Sequence, residues 1–219
     1  LDVTDVETIK AAINETIETF GEISAVVNNA GYGLTGPFEG TTNEQVRRQF
    51  DTNVFGVMDI IREILPHFRK QRHGVIANVS SIGGRLTFPL YSVYHSSKWA
   101  LEGYSESLQY ELLPFNIKVK IIEPGAIKTD FYDRSADIVK PSNTSDYDAY
   151  VDKARVQMNK AGEKGSSPEE VAKVIYNAVN DNSSKLRYSA GTDAAVLMKV
   201  RRFIPDEIFM KIVKSTLKV

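Results

Sequence analysis

Apolar positions along this chain repeat with two different periods, and the alternation between the two predicts strands and helices in turn. Val6, Ile9, Ile13, Ile17 and Phe20 recur at helical spacing behind Thr4 and Glu7, which have the form of a capping box, and Gly21 stops the run. Ile23 to Val27 is short, apolar and β-branched and empties into Asn28-Asn29-Ala30-Gly31, as a buried strand running into a loop does. A second capping box, Thr42 with Gln45, opens a long helical pattern through Val46, Phe50, Val54, Val57, Ile61 and Leu65, expected to bend or end near Pro66. Asn53 lies inside that pattern, where a polar residue ordinarily marks a local kink or a solvent-facing position. Gly74 then turns the chain into Val75 to Val79, an apolar run suited to a strand covered on both faces, which ends in the small residues Ser80-Ser81-Ile82-Gly83-Gly84.

The next helical pattern runs from Tyr94 through Trp99, Leu101, Tyr104, Leu108 and Leu112 to Pro114. Ile117, Val119 and Ile121 alternate with Lys118 and Lys120 before Ile122-Glu123-Pro124-Gly125. Strand, helix, strand, helix, strand predicts an α/β protein with a parallel sheet and crossover helices. From Lys128 to Ser167 the chain turns polar and poorly periodic, and its place after a strand end predicts a substrate lid over about 130–167. Ser167 caps a helix through Val171, Val174, Ile175 and Val179, and Leu186 to Ala190 reads as a last short strand closed by Gly191. The tail over 193–219 sets Lys199, Arg201, Arg202, Lys211 and Lys214 around Leu197, Phe203, Ile208 and Phe209. Packing of that helical tail on its own domain or on a second subunit is expected ahead of membrane contact.

The 219 residues suffice for one domain with a full core, so residues 1–219 are expected to form a single domain. A formal net charge of -1 with interspersed signs gives no reason to expect nucleic acid as a partner. The absence of cysteine removes disulfides, thiolate nucleophiles and thiolate-bound zinc, and His67, His73 and His95 have no ligand spacing, so no metal is expected. No apolar run has bilayer-spanning length, and a cytoplasmic protein is the expectation. The chain opens at Leu1 and passes through Asp2-Val3 as if leaving a strand, which predicts a partial record of a longer sequence.

Two stretches suggest chemistry. Gly31-Tyr32-Gly33-Leu34-Thr35-Gly36 matches G-x-G-x-x-G, but Pro37 and Phe38 follow where a phosphate site needs a helix to begin, and the match is rejected. Tyr94 and Lys98, four apart on one helix, stack on the same face, where a permanently charged ammonium favours the ionised phenol. A free tyrosine has a pKa of about 10 and is a poor base near neutrality, so such a neighbour turns it into a usable proton donor and acceptor. Ser81 ends a strand at the sheet edge where ligands bind in α/β folds.

Asn28-Asn29-Ala30-Gly31, then Asn53, Ser81, Tyr94 with Lys98, and Pro124-Gly125 with Ile127 and Thr129, form an ordered set that resembles the short-chain dehydrogenases/reductases, in their compact single-domain branch. The resemblance implies a Rossmann-type doubly wound sheet, an NAD or NADP cofactor, and hydride transfer between a nicotinamide and a carbonyl or alcohol carbon. It implies Tyr94 as general acid/base, Lys98 as its modulator and ribose ligand, Ser81 on the substrate oxygen, and Asn53 anchoring a water that relays protons to Lys98. It also implies that Asp2 and Val3 lie beside the adenine, Asn28, Asn29, Ala30 and Gly31 beside its ribose, and Pro124, Gly125, Ile127 and Thr129 around the nicotinamide. By the same resemblance the family's first strands, with the Gly-rich turn, are missing before Leu1, and homo-oligomerisation through the helices of Asn53 and Tyr94 is expected. Phe131, Tyr132, Leu86, Phe88 and Leu90 suggest a pocket for apolar carbonyl or alcohol substrates. The alternative is a catalytically silent binding or regulatory protein that keeps the fold.

Overall fold

The computed structural model describes residues 1–128, 136–139 and 145–217. The chain begins with helix α1 (Val6–Phe20), strand β1 (Ala25–Asn28), the short strand β2 (Gly33–Thr35) and helix α2 (Asn43–Phe50). A single π-helical stretch (Asp51–Phe55) joins α2 to α3 (Gly56–Gln71), followed by β3 (Gly74–Val79), α4 (Ser92–Leu112) and β4 (Ile117–Pro124). Then come β5 (Ala136–Ile138), α5 (Asp148–Glu163), α6 (Pro168–Asn180), β6 (Arg187–Ala190), α7 (Thr192–Phe203) and α8 (Asp206–Leu217).

The main sheet has the order β1-β3-β4-β6 with every neighbouring pair parallel, and β2 pairs with β5 in a separate parallel ribbon. Parallel strands need covering on both faces, and the side-chain alternation of β4 shows how this is met. Ile117 and Val119 join Ile76 of β3 in a cluster with Val57, Ile61, Ile64 and Phe68 of α3 and Leu101, Leu108 and Leu112 of α4. Ile122, out of step with them, packs with Tyr188, Ala190 and the α6 residues Val171 and Ala178. The result is the Rossmann-type doubly wound α/β arrangement, with β1 as an edge strand among the described residues.

Lys120 also points to the α6 side and is almost wholly buried there. Its ammonium donates to Asp181 Oδ1 (3.0 Å), the carbonyls of Ser183 (2.7 Å) and Lys185 (3.1 Å), and Tyr188 Oη (3.0 Å). One cation thus organises the turn between α6 and β6, and every proton it offers has an acceptor.

Local chemistry sets several boundaries differently from the apolar pattern. Asp5, not Thr4, caps α1 by accepting the Glu7 N–H, while Thr4 bonds back to Asp2 Oδ1. The predicted capping box of α2 is present, and Ser167, expected as the cap of α6, forms a box with Glu170. Pro66 does not end α3, because the helix continues to Gln71. Burying Ile64 and Phe68 completely contributes about 1.5–3 kcal/mol each, which outweighs a proline cost of about 3 kcal/mol. Within the span expected to be a lid, the described part contains a 16-residue helix, α5.

The inner faces of α7 and α8 pack on the body of the protein, where Ala194, Met198, Ile204, Phe209 and Val213 meet Ile82, Leu86 and Phe88. Leu86 is therefore core. Leu90, at φ 66°, accepts from the Gly36 N–H through its carbonyl and lies at a separate small pocket, leaving Phe88 alone of the three on the main cavity.

Candidate active site

The carboxyl ends of β1, β3 and β4 open on one edge of the sheet, where their loops meet the first turns of α4 around a cavity of about 1130 Å³. That edge is where open α/β sheets bind ligands. The rest of the wall comes from α5, through Gln157 and Met158, and from the C-terminal helices, through Leu197 and Val213.

Tyr94 and Lys98 lie one turn apart on α4, both buried and both on the cavity. Lys98 Nζ donates to the Val79 carbonyl at 2.8 Å and sits 5.9 Å from the centre of the Tyr94 ring. The ammonium is thereby pinned between the end of β3 and the phenol. Burial pushes the Lys98 pKa down to about 8, while the Glu102 carboxylate one turn along α4 pulls it upward. The lysine is therefore not permanently charged, as its spacing alone suggested, but titrates just above neutrality.

Ser81 also lines the cavity, and its Oγ accepts the Gly83 N–H at 3.0 Å. That bond fixes the oxygen and leaves the hydroxyl proton for another acceptor. Asn53 is buried behind the cavity wall in the π-helical stretch, a deviation found often at functional sites. Its Oδ1 accepts the Tyr32 N–H (3.2 Å), and its Nδ2 donates to the Tyr32 carbonyl (2.9 Å) and to Ser97 Oγ (3.3 Å). Ser97 in turn donates to the Tyr94 carbonyl at 2.7 Å. Asn53 thus clamps the loop after β1 to the helix that carries Tyr94.

Gly31 lies in the same junction. A Cβ there would stand 3.1 Å from Asn53 Oδ1 and 3.7 Å from Lys98 Nζ, so the loop backbone approaches both groups as only glycine allows comfortably. Asn29, Gly31, Pro124, Gly125 and Ile127 line the cavity. The stretch after β4 is held by backbone bonds from Gly125 N–H to Ala190 and from Lys128 N–H to Ser166.

Other expected cofactor residues are placed elsewhere. Asn28 turns into the sheet, where its Nδ2 donates to Asn78 Oδ1 (2.8 Å) and Asn78 donates to Ser105 Oγ (2.9 Å), a buried chain joining β1, β3 and α4. Ala30 does not line the cavity, and neither do Asp2 and Val3. Val3 lies against the start of α3, its carbonyl 2.5 Å from where a Gly56 Cβ would be. Thr129, Phe131 and Tyr132 lie outside the described residues. Among the described residues no group of acidic or histidine side chains is arranged to hold a metal.

Some contributors had escaped the sequence reading. Asn78 was visible as the one polar residue of an apolar strand, but its partners were not. His95 lies on the cavity with its ring packed against Tyr91, Tyr94 and Phe88, and burial pushes its pKa down to about 4, so it is neutral at physiological pH. Behind Lys98, Glu102 and Glu123 are buried together, their carboxyls pushed up by burial. Arg187 Nε lies 3.0 Å from Glu102 and 3.7 Å from Glu123, and Arg85 is 3.5 Å from Glu123.

A nicotinamide nucleotide fits the chemistry of this cavity. Lys98 and Tyr94 present an ammonium and a phenol at the cavity wall, and the close packing of Gly31 on Asn53 and Lys98 brings the loop backbone to the same wall. The nearby loops from β1 and β4 supply backbone groups at the same edge.

The short chain dehydrogenase family profile matches residues 1–138. An uncharacterized oxidoreductase of Schizosaccharomyces pombe is 39% identical over 210 residues, 96% of this chain and 88% of that protein. The 3-ketodihydrosphingosine reductase of Bacteroides thetaiotaomicron is 34% identical over 95% of this chain and 78% of its own length. Among solved structures, a short-chain dehydrogenase from Streptomyces avermitilis superposes with a TM-score of 0.80 at 33% identity, covering 98% of this chain and 76% of that one. ElxO with NADP bound gives 0.69 at 27% identity over 87% and 74%. On its sequence, its sheet and these likenesses, the chain belongs to the short-chain dehydrogenase/reductase family of oxidoreductases.

Proposed function

We propose that the protein interconverts a carbonyl and an alcohol with NAD or NADP, using Tyr94 as the proton donor and acceptor. The observation that carries this reading is the Lys98 ammonium, fixed to the Val79 carbonyl and facing the Tyr94 ring at the cavity wall. A cation there favours the phenolate, the state Tyr94 must reach after giving up its proton. When bound, the nicotinamide supplies a hydride to the carbonyl carbon in reduction and accepts one in oxidation.

In reduction the substrate oxygen lies between Ser81 and Tyr94. Ser81 donates its hydroxyl proton in a hydrogen bond that strengthens as negative charge grows on that oxygen. Tyr94 transfers its phenolic proton to the oxygen, so the C=O π bond breaks, a C–H and an O–H bond form, and the tyrosine is left as phenolate beside Lys98. Oxidation runs the same steps backwards. Asn53 acts by holding the loop of Gly31 and Tyr32 in register with α4.

The wall away from these groups is apolar, with Phe88, Pro89, Met158, Leu197 and Val213, and suits an apolar substrate with a single polar end. A relative named for reduction of 3-ketodihydrosphingosine agrees with that choice. α5 contributes one wall of such a pocket. Exposed Phe55, Trp99 and Tyr110, on or beside α3 and α4, support pairing of two copies through these helices.

The test is Tyr94→Phe, which deletes the acidic hydroxyl and little else. Turnover is expected to fall by about 10²–10⁴-fold while NADPH or NADH binding, followed by cofactor fluorescence, is retained. Undiminished turnover removes Tyr94 from its role, and failure of wild type to bind either cofactor favours the catalytically silent reading.

A further inference from the structure

The outer faces of α7 and α8 carry a pattern that the interior does not use. On α7, Val196, Lys199, Val200 and Phe203 fall at successive one-turn steps along a single stripe, and Phe203 is 80% exposed. On α8, Ile208, Lys211 and Ile212 form a matching stripe, with Met210 beside it, and all of these apolar residues are exposed. The opposite faces already anchor both helices to the core through Ala194, Met198, Phe209 and Val213. The exposed stripe is therefore surplus to holding the helices in place, and a cluster of this kind marks an interaction surface.

Its charge says what it fits. Arg201 is neutralised by Asp206, but Lys199, Arg202, Lys211 and Lys214 have no ion pair among the described residues, and Glu207 is the remaining carboxylate on these two helices whose side chain is described. Aliphatic and aromatic side chains flanked by uncompensated cations suit the headgroup boundary of an anionic bilayer, with alkyl groups below the phosphates and ammonium groups level with them. A second copy is a poorer occupant, because a two-fold contact would bring the same cations together with little acid to answer them. No described helix is long and apolar enough to cross a membrane, and the stripe itself suits contact at the bilayer surface.

We propose that α7 and α8 form a peripheral docking face for a bilayer containing anionic phospholipid. Leu197 and Val213, on the same two helices, line the catalytic cavity, so docking brings the cavity wall to the lipid boundary. The consequence that an apolar substrate enters from the bilayer rests on the proposed reaction, whereas the docking itself does not.

The full chain is to be sedimented with vesicles of phosphatidylcholine alone and with vesicles that also contain phosphatidylserine, at low and high salt. Binding is expected with the anionic vesicles, absent with the neutral ones and reversed by salt. Lys199→Gln with Lys211→Gln lowers the partition coefficient by about 25-fold, from about fivefold per lysine. Val200→Asp with Phe203→Asp abolishes binding, while circular dichroism melting of both double variants stays near wild type. The proposal is overturned by absence of binding to any vesicle, by equal binding to neutral vesicles, or by a wild-type oligomer that the Val200→Asp/Phe203→Asp variant dissociates without any lipid binding. Activity in solution with a water-soluble carbonyl is assayed separately, so loss of docking and loss of the proposed reaction are told apart.

Discussion

Lys98→Met is expected to remove turnover and yet make the ligand-free protein more stable. Burial pushes the lysine from 10.5 to about 8, and that difference of 10.5 − 8, at 1.36 kcal/mol per pH unit, means the folded state carries a cost of about 3 kcal/mol for the charge at pH 7. Methionine fills nearly the same volume without that charge. What it gives up is the hydrogen bond from Nζ to the Val79 carbonyl, worth about 1–1.5 kcal/mol. The net gain is about 2 kcal/mol, or a Tm higher by about 4–8 °C for a protein of this size. The pH dependence gives a sharper check. The folded protein releases the Lys98 proton from about pH 8 upward, whereas the unfolded chain keeps it until about 10.5. Wild-type stability therefore rises relative to the variant through that window, and the variant's advantage is full below pH 8, is lost by about pH 9.5 and has reversed by pH 10.5. Urea titrations of both proteins at pH 7 and pH 10, without cofactor, measure the difference. A less stable variant at pH 7, or an advantage of equal size at both pH values, refutes the reasoning.

Glu102→Gln removes the carboxylate that raises the Lys98 pKa, so the alkaline limb of kcat/KM moves to lower pH, and an unchanged profile would show that Glu102 does not act through the lysine. Gly31→Ala sets a methyl group 3.1 Å from Asn53 Oδ1 and 3.7 Å from Lys98 Nζ and is expected to weaken NADPH binding about tenfold in a fluorescence titration. Asp181→Asn weakens the Lys120 cage but leaves its three other acceptors, at a cost of about 1–2 kcal/mol in denaturant titration. The Tyr188 hydroxyl, foremost, holds the Asp181 pKa below the usual carboxylate range, so this contribution is present at neutral pH and lost as pH falls, and the variant's stability should decline less steeply in acid.

Most of the architecture was legible because it rests on local chemistry. The capping boxes at Thr42 and Ser167 work through side chains three residues apart, and the strand runs declare themselves by composition. Helix α5 was not legible for a physical reason. The residues it buries are Ala154 and Gly162, and an inward face built from such small residues leaves almost no apolar periodicity in the sequence. At Pro66 the local rule allowed an end that the helix does not take, since the packing of Ile64 and Phe68 is a tertiary gain that a residue-by-residue reading cannot weigh.

The site divides along the same line. Tyr94 and Lys98 could be paired from their spacing because one helix places both, and Ser81 could be placed because strand ends in α/β sheets face ligands. Asn53 could not, since its partner Tyr32 is 21 residues away and the π-helical stretch that turns it inward leaves no signature in the apolar pattern. The asparagine pair Asn28 and Asn78, 50 residues apart, is hidden for the same reason. Spacing also misstates the lysine, because four residues along a helix convey proximity and nothing about solvent. Burial beside Val79 makes Lys98 a group that titrates at about pH 8, and Glu102 is the charge that holds its proton on against that burial. An isolated helix bearing Tyr94, Lys98 and Glu102 would thus keep the spacing and the balancing carboxylate but lose the burial that lowers the lysine's pKa, since the Val79 carbonyl and the rest of the cover come from outside the helix.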